Sequence, residues 1–219
     1  MKMLPSMLPP KSLRAVRIAV WLLALVPFLR LVVLGATDRY GANPLEFVTR
    51  STGTWTLVLL CCTLAVTPLR RLTGMNWLIR IRRMLGLYTF FYGTLHFLIW
   101  LLVDRGLDPA SMVKDIAKRP FITVGFAAFV LMIPLAATST NAMVRRLGGR
   151  RWQWLHRLVY VTGVLGILHY WWHKAGKHDF AEVSIYAAVM AVLLGLRVWW
   201  VWRGARQGAI AGGAVPLRD

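Results

Sequence analysis

The sequence predicts an all-α integral membrane protein, a bundle of six transmembrane helices with both termini on the cytoplasmic side. Three observations carry that prediction. Of 219 residues, 58% are hydrophobic, more than a soluble domain ordinarily holds. The apolar residues gather into six runs of roughly 17–25 residues, the length that crosses a hydrocarbon core about 30 Å thick. The 27 Lys and Arg, set against 8 Asp and Glu for a net charge of +19, cluster between alternate runs. A disordered basic tail would be poor in Leu, Val and Trp, and a nucleic-acid binder would have no use for the apolar runs. Membrane lipid is the expected surrounding, and no nucleic acid is an expected partner.

The expected spans are residues 16–36, 51–67, 84–103, 121–137, 154–172 and 181–201. Basic residues precede the first, as in a signal peptide, but its apolar stretch exceeds a signal h-region and further spans follow, so it is read as retained. The second and fourth are short and are expected to stand nearly upright or beside thinned bilayer. The chain then divides into a cytoplasmic segment 1–15, a six-helix domain 16–202 and a cytoplasmic tail 203–219.

Orientation follows from Lys and Arg. Lys2, Lys11, Arg14 and Arg17 lie before or at the start of the first span. Arg70, Arg71, Arg80, Arg82 and Arg83 occupy the second loop, Arg145, Arg146, Arg150 and Arg151 the fourth, and Arg197, Arg203, Arg206 and Arg218 the chain's end. The intervening loops hold fewer basic residues and most of the acids, so the basic loops are assigned to the cytoplasm. Tryptophans fall near span ends on both sides, as interfacial indoles do: Trp55, Trp100, Trp171 and Trp172 outside, Trp77, Trp152, Trp199, Trp200 and Trp202 inside. No loop exceeds roughly twenty residues, whereas a separate domain needs about 50. Neither G-x-G-x-x-G nor G-x-x-x-x-G-K-[ST] is present. Chemistry is therefore expected inside the bundle or at its two surfaces.

The histidines point to that chemistry, because ionisable groups within spans are rare and functional by default. His96 lies twelve residues into the third span, about 18 Å from its inner end, and His169 fifteen residues into the fifth, about 22 Å deep. Two imidazoles at similar depth on outward-running helices meet the requirement for bis-histidine ligation of one haem. His156 precedes His169 by thirteen residues, about 20 Å along the same expected helix, a spacing suited to a second haem near the cytoplasmic face. Those two lie about 140° apart around an ideal helix, so presenting both on one face needs a distortion, which Gly163 and Gly166 permit. Where a partner for His156 would stand, the sequence reads Arg80-Ile81-Arg82-Arg83. Arg82 and Arg83 suit a haem propionate or a flavin phosphate.

His173, one turn past His169, is the alternative outer ligand, and His178 is expected in a solvated loop. Cys61 and Cys62 read as small core residues. Two other classes use the same histidines: a small proton-coupled transporter, disfavoured by the scarcity of intramembrane carboxylates, and a non-redox membrane anchor.

Several segments in order carry a family resemblance. They are Asn43-Pro44-Leu45-Glu46-Phe47, Arg50-Ser51-Thr52-Gly53, Thr67-Pro68-Leu69-Arg70-Arg71, Arg82-Arg83-Met84-Leu85-Gly86-Leu87 leading to His96, and Lys118-Arg119-Pro120-Phe121-Ile122. Thr138-Ser139-Thr140-Asn141, Arg145-Arg146-Leu147-Gly148, Trp152, His156-Arg157-Leu158 and His169 complete the series. Over residues 40–175 the chain resembles the haem-binding membrane subunits of periplasmic methionine sulfoxide reductase systems, within the ferric-reductase-like transmembrane group. The resemblance implies a multi-pass subunit of the bacterial inner membrane with one or two haem b groups. His96, His169 and His156 would be its iron ligands. It implies electrons drawn from quinone or a cytoplasmic flavin reductase, an associated flavin mononucleotide (FMN), and a periplasmic molybdenum-containing reductase as partner in a heterodimer. This chain has arginine where the wider group carries a fourth haem histidine.

Overall fold

The computed structural model describes residues 6–176 and 178–212, with side chains through residue 204. Lys2, Lys177 and Arg218, and the side chain of Arg206, lie outside the described residues. Those residues form nine α-helices and no strand: α1 (Pro10–Ala36), α2 (Pro44–Thr73), α3 (Ile79–Leu98), α4 (Pro109–Lys118), α5 (Pro120–Ala137), α6 (Asn141–Leu147), α7 (Gly149–Leu155), α8 (Leu158–Ala175) and α9 (Ala181–Gly212). A 3-10 turn, Asn76–Leu78, leads into α3, and a π-helical segment, Ile99–Asp104, extends it.

Five helical stretches are long and apolar enough to cross a membrane: Pro10–Ala36, Pro44–Thr73, Asn76–Asp104, Pro120–Ala137 and Ala181–Gly204. The remaining expected span corresponds to α8. Its 18 residues would suffice in length, but His169, Trp171, Trp172, His173 and Lys174 lower its mean hydropathy.

The second span is not short, as its apolar run suggests, but 30 residues long. Helix-start chemistry adds two turns ahead of that run. Pro44 occupies the first turn, and the Asn43 side chain accepts from the Glu46 amide at 3.2 Å. The helix stops at Gly74, whose φ of 74° is the left-handed conformation that glycine adopts without a Cβ penalty. The last helix likewise runs past the expected end of its span to Gly212.

The core is built from two helix pairs, α2 with α3 and α5 with α8, joined where α3 meets α5; α1 lies against α3, and α9 against α2 and α8. The outside is as apolar as the inside. On α1, Ile18, Leu22, Leu23, Val26, Leu29, Val32 and Val33 are exposed, as side chains facing lipid are. Inside sit Thr52, Thr63, Thr89 and Thr162, each donating its hydroxyl to the carbonyl one turn back at 2.8–3.1 Å. Small polar residues that satisfy themselves let helices approach closely.

At two helix prolines a side chain from a neighbouring helix enters the disturbed turn. Pro68 has no N–H, so the Leu64 carbonyl lacks its usual partner. Arg197 of α9 donates to that carbonyl at 2.5 Å while its guanidinium lies over the Tyr160 ring. Near Pro27 the Tyr92 hydroxyl enters α1, donating to Ala24 O at 2.8 Å and accepting from the Phe28 amide at 3.0 Å. Tyr92 is wholly buried, and this contact fastens α1 to the helix that carries His96.

Candidate functional site

His96 lies in the last turn of α3 and His169 in the second half of α8. The fold brings them together across the bundle: their ring centroids are 6.0 Å apart with planes at 81°. Each ring is held by a backbone carbonyl on a different helix. His96 Nδ1 donates to Thr49 O of α2 at 3.0 Å, with Thr52 Oγ1 at 3.5 Å, and His169 Nδ1 donates to Phe121 O of α5 at 2.7 Å. A proton fixed on Nδ1 leaves Nε2 with its lone pair, the state in which imidazole binds a metal. Glycines make the close approach possible. A Cβ on Gly53 would stand 3.1 Å from His96 Cε1, and one on Gly125 only 2.5 Å from His169 Nδ1.

The spacing tests what the pair can hold. Imidazole–metal bonds are about 2.0 Å, which sets two rings on opposite sides of one metal about 6 Å apart, centre to centre. The observed separation fits. Among the described residues there is no group of three or more His, Cys, Asp or Glu placed to hold a metal ion. Two imidazole nitrogens at this spacing would suit a metal whose other positions a macrocycle fills, as in haem.

His156 belongs to a different element from the one expected. The helix predicted to carry both His156 and His169 is interrupted at His156-Arg157, between α7 and α8. The distortion thus falls at His156 itself and not at Gly163 or Gly166, which lie inside α8. Trp152 stacks on the His156 ring at 3.9 Å and 27°, and the Trp152 indole donates to Thr138 O at 2.9 Å. Thr138 Oγ1 donates to Pro134 O at 2.6 Å, so its contact with His156 Nε2, at 3.0 Å, has the imidazole donating.

Beside it opens a cavity of about 530 Å³, within the range of small-molecule sites. His156, Trp152, Arg82, Arg83, Arg157 and Tyr160 line it, and its apolar wall includes Phe90, Met132 and Leu135. A cationic rim over an apolar floor suits a planar ligand with acidic groups. Arg83 also donates to Asn141 Oδ1 at 2.6 Å.

His173 stands close to the pair, its ring 5.7 Å from Phe121, which is itself 6.1 Å from His169. His178 is exposed, Cys61 is buried and Cys62 exposed. Arg30 and Glu46 line a second cavity of about 500 Å³ with Arg50, Phe47, Trp55 and Glu182. Glu46 lies 3.8 Å from Arg50, while Arg30 stands over the Phe47 ring.

Sequence reasoning does not single out Lys174, which is buried and bonded to Asp179 at 2.5 Å. It also missed Asp115, buried in α4. Neither carries a local signal, since each has its meaning only from what the fold places against it.

An all-helical, multi-span bundle with two imidazoles set edge to face, 6.0 Å apart, between α3 and α8 is the architecture of a multi-pass membrane protein. Comparison with known proteins makes this specific. The family described as "Ferric reductase like transmembrane component" matches residues 52–167. The chain is 60% identical to the "Protein-methionine-sulfoxide reductase heme-binding subunit MsrQ" of Herminiimonas arsenicoxydans, over 93% of this chain and 94% of that protein. The likewise named protein of Bordetella pertussis is 58% identical over 91% and 98%, and that of Polaromonas naphthalenivorans 50% identical over 90% of each. The chain belongs to the ferric reductase like transmembrane family and, within it, to the MsrQ subunits.

Proposed function

We propose that this chain is a b-type cytochrome subunit of the bacterial inner membrane. It carries electrons to a periplasmic molybdenum-containing methionine sulfoxide reductase, its heterodimer partner, for repair of oxidised proteins. One observation carries the reading: the His96–His169 pair, spaced for one metal, with both Nδ1 protons committed to carbonyls. Haem b, when bound there, supplies a one-electron iron couple. The chain's own residues orient the two rings through Thr49 and Phe121 and leave Nε2 as the donor atom.

The cavity beside His156 is the second site in this proposal, with Arg82 and Arg83 facing the acidic groups of a second haem or of FMN. With its Nε2 proton donated to Thr138, His156 would offer Nδ1 to an iron, or Nε2 if that bond is exchanged. The electron donor is quinone or a cytoplasmic flavin reductase. The topology has six spans within 16–202, with α8 as the fifth in chain order, and the excess of basic residues on alternate loops supports cytoplasmic termini.

The reduced-minus-oxidised visible spectrum of the purified protein, expressed with ample haem, tests the reading. A b-type α-band is expected, and a colourless protein would refute it in favour of a transporter or an anchor.

A further inference from the structure

We infer that Asp115 is a positioning residue that sets the spacing of the His96–His169 pair, a role that rests on the haem reading above. Its carboxylate is almost wholly buried, with 7% of the side chain exposed, and each oxygen serves a different helix. Oδ2 accepts from the Trp100 indole at 3.3 Å and faces Arg105 Nε at 3.3 Å. Oδ1 faces Arg119 Nε at 3.1 Å. Trp100 stands four residues after His96, one turn further along, inside the π-helical segment. Arg105 closes that segment through its own amide, which donates to Trp100 O at 3.0 Å. Arg119 is the N-cap residue of α5, two residues before Phe121, whose carbonyl fixes His169. One buried carboxylate thus ties the end of the His96 helix to the start of the element that orients His169.

The surroundings make the tie specific. π-Helical turns are rare, and recur at functional sites. Here the wider turn begins three residues after the histidine and is followed by Arg105, which donates to Asp104 Oδ2 at 2.8 and 3.0 Å and also faces Asp115. A carboxylate out of water requires partners on both oxygens, and here one set comes from the extension of the His96 helix and the other from the start of α5. An asparagine in its place keeps the shape but turns one acceptor into a donor, so one of the two helices is released. A glutamate keeps both acceptors.

The test is the low-spin ferric electron paramagnetic resonance signal of the purified, haem-loaded protein, because its g-values follow the angle between the imidazole planes. Asp115→Asn is expected to shift those g-values and weaken haem retention about tenfold, and Asp115→Glu to restore both. An unchanged signal in Asp115→Asn overturns the inference, as does an equal loss in both variants. If Asp115→Asn does not accumulate, Arg119→Gln, whose side chain is half-exposed, releases only the α5 side; a shifted signal supports the role and an unchanged one refutes it. Wild-type protein without any low-spin signal would instead overturn the haem reading itself.

Discussion

Replacing Gly125 by alanine puts a single methyl group against the ring of His169. A Cβ there would lie 2.5 Å from Nδ1, 2.8 Å from Cε1 and 3.1 Å from Cγ. Non-bonded heavy atoms rest about 3.5–4.0 Å apart, so the ring must retreat by about 1 Å. It cannot retreat and keep the 2.7 Å bond to Phe121 O. Overpacking costs about 1–3 kcal/mol and the lost bond about 1 kcal/mol. Alanine in place of a helical glycine returns up to about 1 kcal/mol. The net, about 1–3 kcal/mol against the bound geometry, corresponds to haem binding weaker by roughly 5- to 150-fold.

Gly53 is the internal control. A Cβ there would approach His96 no closer than 3.1 Å, which shifts of a few tenths of an ångström relieve. Gly53→Ala should therefore bind within about threefold of wild type, since the gain in helix propensity offsets most of the strain. Haem titration of the purified variants, with the haem-to-protein ratio measured at each point, reads both effects. Wild-type binding by Gly125→Ala, or a larger loss in Gly53→Ala, would refute the claim that these glycines seat the two imidazoles.

Three further outcomes follow from the packing. Arg197→Leu strands the Leu64 carbonyl and should lower stability by about 1–3 kcal/mol in a detergent unfolding assay; Pro68→Ala restores an N–H for that carbonyl, so the double variant should lose less than the two single effects predict together. Tyr92→Phe removes both hydroxyl bonds to α1 and should cost about 1–2 kcal/mol, seen as earlier release of α1 in limited proteolysis. The hydrogen bond from Lys174 holds the Asp179 carboxyl below the usual carboxylate range. Its stabilisation is therefore present at neutral pH and lost as pH falls through that depressed value, so Asp179→Asn should flatten the acid limb of a stability profile.

How much of this was legible depended on whether the signal was local. Apolar runs long enough to span a bilayer identified the five apolar stretches, and matched depth alone brought His96 and His169 together, because rise per residue converts sequence position into height. Height says nothing of neighbours. The carbonyls of Thr49 and Phe121 that hold the rings come from two other helices, and no pattern around either histidine announces them. The start of α2 was misplaced because hydropathy was read where capping chemistry governed: Asn43 and Pro44 begin the helix well before its apolar run. His156 shows the converse. Geometry required a distortion between it and His169, but the glycines drew attention from the break at His156-Arg157. The partners that bury Lys174 and Asp115 come only from the fold.

The central claim is that His96 and His169 are the two axial ligands of one haem. The most direct measurement is the haem content and ferric low-spin signal of His96→Ala, His169→Ala and His173→Ala, prepared side by side. Loss of that signal in the first two, with wild-type behaviour in the third, is the predicted result. Retention of the signal in His169→Ala together with its loss in His173→Ala would contradict it.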